Sequence, residues 1–253
     1  MNQVNVDWIE ENKALVKKGS VGIAGLPGVG HVGKLVVDHL VRILKAKKIA
    51  ELTSTLFPPQ MYLSEDGIIR FPRNEFWYVP KKRNSPAMIL LSGDCQSVGP
   101  EGHYILGEAY AQIFKELGVS RVYTLGGYGL GRLVDNPRVL AAVSRSELKQ
   151  EVLDAGAVLN GVEPVGGIIG AAGLIVTFCA SMGIDGVAML GETSGYLVDP
   201  VSSTAVLDIL EKLIGLKVDR NDLLELAEEM QTELTAFTSS MKKNAADDLR
   251  YIG

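Results

Sequence analysis

Cysteine and histidine are scarce in this chain. The two cysteines, Cys95 and Cys179, lie far apart in unrelated contexts. They suit a reducing compartment and suggest neither a disulfide framework nor a metal site. The three histidines, His31, His39 and His103, show no ligand spacing with cysteines or acids, so no metal and no cofactor is expected. His39 falls inside a helical pattern and reads as a packed or surface residue. The chain also lacks a basic block. Its net charge is −5, which argues against nucleic acid as a main partner. A long apolar run is missing too. The most apolar window, residues 164–180, falls short of the ~20 residues that span a bilayer and is broken by glycine. It reads as a core helix with its approach. The start, MNQVNVDWIEEN, has no basic segment leading into an apolar core and is not a signal peptide. These absences describe a soluble, cytoplasmic protein with no membrane partner.

Apolar residues make up 47% and charged residues 22% of the 253, the balance of a globular protein with ample core. The length allows one large α/β domain or two small ones. The chain is organised around residues 20–44. An apolar run, 21–24, reads as a buried strand. It enters the loop Gly25-Leu26-Pro27-Gly28-Val29-Gly30, and from about His31 the pattern turns helical, with Val32, Leu35, Val36, Leu40, Ile43 and Leu44 along one side. Two nucleotide motifs fit this stretch. Gly28-x-Gly30-x-x-Gly33 matches a dinucleotide fingerprint, with Glu51 placed as the ribose-binding acid. Gly28 to Gly33-Lys34 matches most of a P-loop, but Leu35 stands where a magnesium-holding hydroxyl is needed. The two compete for the same glycines. We favour a simpler role, a sharp turn and close helix–strand approach.

Along the chain, strands are predicted near 4–9, 49–55, 87–92, 121–125, 139–143 and 186–190. Helices are predicted over 102–117, closed by Gly118, and over 202–214. Ser144-Arg145-Ser146-Glu147 has the form of a capping box for a helix to about Leu153. Glycine turns are expected at 126–132 and 161–167. Residues 61–63, 67–71 and 75–79 read as short antiparallel strands with a hairpin turn at Glu65-Asp66-Gly67. Phe57, Tyr62, Phe71, Phe76, Trp77 and Tyr78 cluster there, which fits either packing on the main sheet or an oligomer or partner surface. The last helix, 221–237, carries a stripe of Leu223, Ala227, Met230, Leu234 and Phe237. The alternation gives one three-layer α/β/α domain over 1–237, with a mostly parallel sheet, an antiparallel insertion near 57–80 and a C-terminal helix. Residues 238–253 read as a flexible tail.

A ligand site would use the strand ends: the loop of Gly25, Gly28, Gly30 and Gly33, with Asp94, His103, Arg132 and Glu192. No catalytic set announces itself. Neither a Ser-His-Asp set nor a nucleophile elbow is present, so no catalytic residue is assigned and an enzyme is the less favoured reading. In the tail, Leu249, Tyr251 and Ile252 with the Gly253 carboxylate form an apolar anchor able to dock in a partner's pocket.

The stretch Gly25-Leu26-Pro27-Gly28-Val29-Gly30-His31-Val32-Gly33 resembles the opening motif of the PAC2 family, the proteasome assembly chaperone 2 group. Leu125-Gly126-Gly127-Tyr128, Asn160-Gly161-Val162 through Gly170-Ala171-Ala172-Gly173-Leu174, and Leu190-Gly191-Glu192-Thr193 follow in order. The likeness covers about residues 15–215 and is nearest to archaeal members. It implies a nucleoside phosphorylase-like α/β/α fold and a non-enzymatic chaperone that forms homo-oligomers and engages proteasome α subunits. Proteasome-binding tails of this kind end with tyrosine next to last. Here Tyr251 stands one place early and Arg250 takes the apolar position. The alternative is an enzyme or a nucleotide- or nucleoside-binding protein using the glycine loop and the acidic strand ends.

Overall fold

Apolar runs bounded by glycine become strands, and the 3.6-residue patterns between them become helices. The structure is a computed structural model and describes residues 3–64, 66–159 and 167–227. In chain order these are β1 (Val4–Trp8), α1 (Glu10–Lys13), β2 (Val21–Ala24), α2 (Val32–Ile43), β3 (Lys47–Ser54), β4 (Tyr62–Leu63), β5 (Ile69–Arg70) and β6 (Asn74–Val79). They continue as β7 (Met88–Gly93), α3 (Pro100–Glu116), β8 (Arg121–Gly129), β9 (Val139–Val143), α4 (Lys149–Asp154), α5 (Ala171–Ser181), β10 (Asp185–Thr193) and α6 (Pro200–Ile214). Residues 221–227 open a further helix. The rest of the predicted 221–237 helix, the glycine stretch 161–166 and the tail with Leu249, Tyr251, Ile252 and Gly253 lie outside the described residues.

The main sheet has eight strands in the order β1-β3-β6-β7-β2-β8-β10-β9. Its centre, β7-β2-β8-β10, is parallel. Two antiparallel steps through β6 bring β3 back to that direction, so five strands share it, while β1, β6 and β9 oppose it. Successive residues of β7 point to opposite faces: Ile89 and Leu91 join one core cluster, Met88 and Leu90 the other. α3 and α5 pack on the first face, α2, α4 and α6 on the second. All six residues of β7 are buried, as a central strand covered on both sides must be. This is the expected α/β/α layering.

Three local readings change. The 144–147 capping box does not form. The Ser144 hydroxyl accepts from the Gly186 N–H instead (2.9 Å), tying β9 to the start of β10, and the chain enters α4 through a 3-10 turn with no side-chain cap. The predicted turn at 126–132 is strand as far as Gly129, because β10 keeps pairing with β8 to the Gly129–Thr193 step. Half of the aromatic cluster is core: Phe57, Phe76 and Tyr78 are buried, Tyr62 and Trp77 are half-buried, and Phe71 stands well exposed. The 61–71 segment forms its own two-stranded hairpin, β4–β5, apart from the main sheet.

Candidate functional site

The glycine loop is built by backbone contact. A Cβ on Gly25 would lie 2.1 Å from the Gly33 carbonyl oxygen, and one on Gly33 would lie 2.0 Å from that of Leu125. The first turn of α2 is thus wedged between the ends of β2 and β8. Gly30 has a φ of +63°, and a Cβ there would meet the Thr193 Oγ1 at 2.7 Å. The Gly30 carbonyl accepts from the Asp199 N–H (2.9 Å), at the cap of α6. These three glycines are explained by packing alone. Gly28 differs: its nearest side-chain neighbour is the Gln96 amide at 3.4 Å, and it faces a crevice.

Neither nucleotide motif keeps its geometry. A P-loop lysine must reach back over the loop to phosphates. Lys34 instead pairs with Asp38 (2.8 Å) and lines a different hollow, with Arg70, Arg73, Glu75 and Asp94. The fingerprint acid must sit on the strand beside β2. Glu51 is on β3, separated from β2 by β6 and β7, a lateral distance of roughly 14 Å at ~4.8 Å per strand. It is paired with Lys48 (2.6 Å) and Arg73 (3.2 Å).

The crevice lies where the parallel strands end, the usual position for a ligand in this architecture. It has a volume of about 310 Å³ and is lined by Leu26, Gly28 and Val29 after β2, Gln96 and His103 after β7, Thr124 to Gly127 of β8, Leu190 of β10, and Ile169 to Ala172 and Ile175 at α5. Its lining includes no serine, cysteine, acid, lysine or arginine. Two of its polar side chains, Gln96 and Thr124, are already engaged. Gln96 donates to the Pro27 carbonyl (2.7 Å) and accepts from the Ala171 N–H (2.9 Å), stapling the glycine loop to the start of α5. Thr124 donates to the Ala172 carbonyl (2.8 Å). The surface is apolar and glycine-rich, with His103 as the ionisable side chain on its rim, and it offers no cation for a phosphate.

The other strand-end residues are placed elsewhere. Asp94 accepts from both terminal nitrogens of Arg70 (2.5 and 3.1 Å) and from the Arg73 N–H (3.0 Å). Burial works to raise its pKa, but the Arg70 and Arg73 hydrogen bonds and the Arg70 and Lys34 charges outweigh it, so the carboxyl sits below the usual range. Glu192 is buried in β10. Its carboxylate accepts from the Arg138 N–H (3.0 Å) and Nε (2.9 Å). Arg138 holds its pKa down against burial, with Arg132 adding a favourable charge. His103 borders the crevice. His39 is buried, and its Nε2–H donates to the Asp219 carbonyl (2.7 Å), a packing role. So Gly28 and His103 share one crevice, while Asp94 and Glu192 each serve an ion pair away from it. Gln96 and Thr124 carried no sequence signal, since their partners are backbone groups far along the chain. Among the described residues no group of three histidines, cysteines or acids could hold a metal, and no helix is long and apolar enough to cross a membrane.

The sequence and the fold are both similar to those of known proteins. The chain is 38% identical over 240 residues to an uncharacterized protein of Methanocaldococcus jannaschii, covering 91% of each. Its structure is similar to that of Pyrococcus furiosus PbaB, described as an archaeal proteasome activator. The TM-score is 0.85 at 32% identity, over 94% of this chain and all of that one. It is also similar to P. furiosus PbaA, described as an archaeal homolog of proteasome-assembly chaperone. There the TM-score is 0.75 at 25% identity, over 98% and 97% of the two chains. The PAC2 family model matches residues 22–238, and with that span of chain matched, this protein belongs to the PAC2 family.

Proposed function

We propose that this protein is a non-enzymatic proteasome-binding factor that forms a homo-oligomer and engages the proteasome's α subunits, with residues 249–253 as an anchor. The observation that carries the reading is the full-length likeness to PbaB. The crevice supports it, since its lining holds no serine, cysteine, carboxylate, lysine or arginine. A second reading, a small-molecule site, is favoured only by the crevice's position at the strand ends. The apolar lining suits a nucleobase better than a phosphate.

Native mass spectrometry of the protein with proteasome α subunits tests the first reading, on the full chain and on a chain ending at Asp248. A complex that needs the last five residues supports both the role and the anchor. A complex that survives truncation moves the contact to the α/β domain. No complex with either folded chain refutes the role. A rise in melting temperature with ATP, GTP, NAD or nucleosides would favour the second reading, because a ligand selective for the folded state must stabilise it.

A further inference from the structure

The end of the sheet opposite the crevice, where the parallel strands begin, differs in charge from the rest of the chain. Three connections meet there. Lys17 and Lys18 lead into β2, Lys45 and Lys47 open β3, and Lys81-Lys82-Arg83 join β6 to β7. They are far apart in sequence, but β3, β6, β7 and β2 are neighbours in the sheet. Lys47 lies opposite Tyr78 near the end of β6, and the Val21 N–H donates to the Ala87 carbonyl (2.9 Å), so each connection borders the next. All seven residues are exposed, and among the described residues none of them is in an ion pair. Their neighbours Lys13 and Lys48 do have partners, in Glu116 and in Glu51 with Glu75. Residues 17–20, 45–48 and 80–87 contain no acid.

The surroundings compensate only part of this charge. α1 carries Glu10 and Glu11 at the β1 side. α2, α3 and α6 also end here: Lys45 follows α2, Gly118 after α3 accepts from the Gly19 N–H, and a Cβ on Gly215 after α6 would lie 3.1 Å from the Asn84 carbonyl oxygen. Each helix C-terminus is equivalent to about half a negative charge. Acids and dipoles together offset roughly half of the seven cations, so the edge stays positive.

We propose that this basic edge is a docking surface for a short acidic segment of a partner protein. The sign follows from charge complementarity. Two observations favour an acidic protein segment over a nucleic acid. The first is extent. From β3 to β2 the edge is ~14 Å across, a span that about four or five extended residues cover. The seven cations are drawn from 25 lysines and arginines in a chain with 30 aspartates and glutamates, so the surface beyond them is acidic. A nucleic-acid backbone that runs past the edge meets that surface and is repelled, whereas a short run of carboxylates ends where the lysines end. The second is residue type. Six of the seven are lysines, flexible point charges, and the three segments contain no aromatic side chain on which a base could stack. The proposal uses none of the residues of the proteasome reading and stands independently of it.

The test uses the full chain and a fluorescein-labelled octaglutamate peptide, with binding read by fluorescence anisotropy at ~25 mM and ~200 mM salt. Binding is expected at the lower salt and is expected to weaken at the higher. Lys81→Gln with Lys82→Gln and Arg83→Gln is expected to weaken it about tenfold, since each exposed pair is worth a factor of about two to five. Lys17→Gln with Lys18→Gln, on a different connection, is expected to weaken it about fivefold. Val98→Glu with Tyr104→Glu makes the same change in net charge as that second variant, but at the opposite end of the sheet, and is expected to leave binding unchanged. Circular dichroism is expected to be the same for all, because every substituted residue is exposed. No binding at the lower salt, or full affinity in either lysine variant, overturns the proposal. An equal loss in the control also overturns it, because net charge and not the edge then governs binding. A single-stranded oligothymidylate of equal charge that binds more tightly than the peptide, and is lost in the same lysine variants, assigns the edge to nucleic acid and overturns the acidic-protein reading.

Discussion

Gly33→Ala separates a packing role for the glycine loop from a ligand-binding one. Gly33 is the second residue of α2, with ordinary helical geometry, so alanine there would normally help the helix by up to ~1 kcal/mol. Here the new methyl would lie 2.0 Å from the Leu125 carbonyl oxygen and 2.5 Å from its carbon. Ordinary contact begins at 3.4 Å, so helix and strand must part by about 1.4 Å. The obstacle is backbone in the sheet's centre and has no rotamer to escape into. Forced overpacking costs about 1–3 kcal/mol, and a backbone clash belongs at the upper end. After the helix gain, a loss of about 2 kcal/mol remains, which lowers the melting temperature by ~4–8 °C in a domain of this size. Gly28→Ala is the control. Its backbone is extended and its nearest side-chain neighbour is the Gln96 amide at 3.4 Å, so its melting point should stay within ~2 °C of wild type. Differential scanning fluorimetry and urea unfolding measure both. A Gly33→Ala protein as stable as wild type would refute the wedge and reopen the loop as a ligand cradle.

Other outcomes follow from single contacts. Asp94→Asn removes the charge that holds Arg70 and should cost about 1 kcal/mol, since both side chains are partly exposed, while protease cleavage within the hairpin accelerates. Asp94 and Glu192 both have folded pKa values below their ordinary ones, so their stabilisation is fully present above ~pH 5 and is lost as pH falls through the lowered values. Stability should therefore be level from pH 7 to 5 and fall below 4, and Glu192→Gln should lower the pH 7 value and flatten that fall, read by urea unfolding at each pH. Burial pushes the Cys95 and Cys179 thiols up to about 12, so neither should react with Ellman's reagent at pH 8 until denaturant is added. Labelling of the folded protein at the rate of a free thiol would contradict the burial.

Much of the fold was legible because strand and helix periods are local. Residues 21–24 and 139–143 are strands with the bounds the sequence predicts, and Gly118 closes α3 in the left-handed conformation its position requires. The site was less legible. Glu192 looked like a strand-end acid free for chemistry, but it is buried against Arg138, 54 positions earlier in the chain. Asp94 looked the same and instead anchors a hairpin. Of the aromatics near residue 70, which fitted either core or surface, Phe57, Phe76 and Tyr78 went into the core, and the exposed side chains of that segment are largely aliphatic.

The sequence by itself determined the alternation of elements and the PAC2 motifs, because each is written in neighbouring residues. Only the tertiary structure decided that Gly25 and Gly33 serve close packing, that Glu51 lies three strands from the glycine loop, and that the crevice beside Gly28 is lined by no carboxylate, lysine or arginine. Strand order and backbone approach join positions dozens of residues apart. No local pattern encodes which strand will lie beside which, and so none could tell a phosphate cradle from a tight fit between a helix and a sheet.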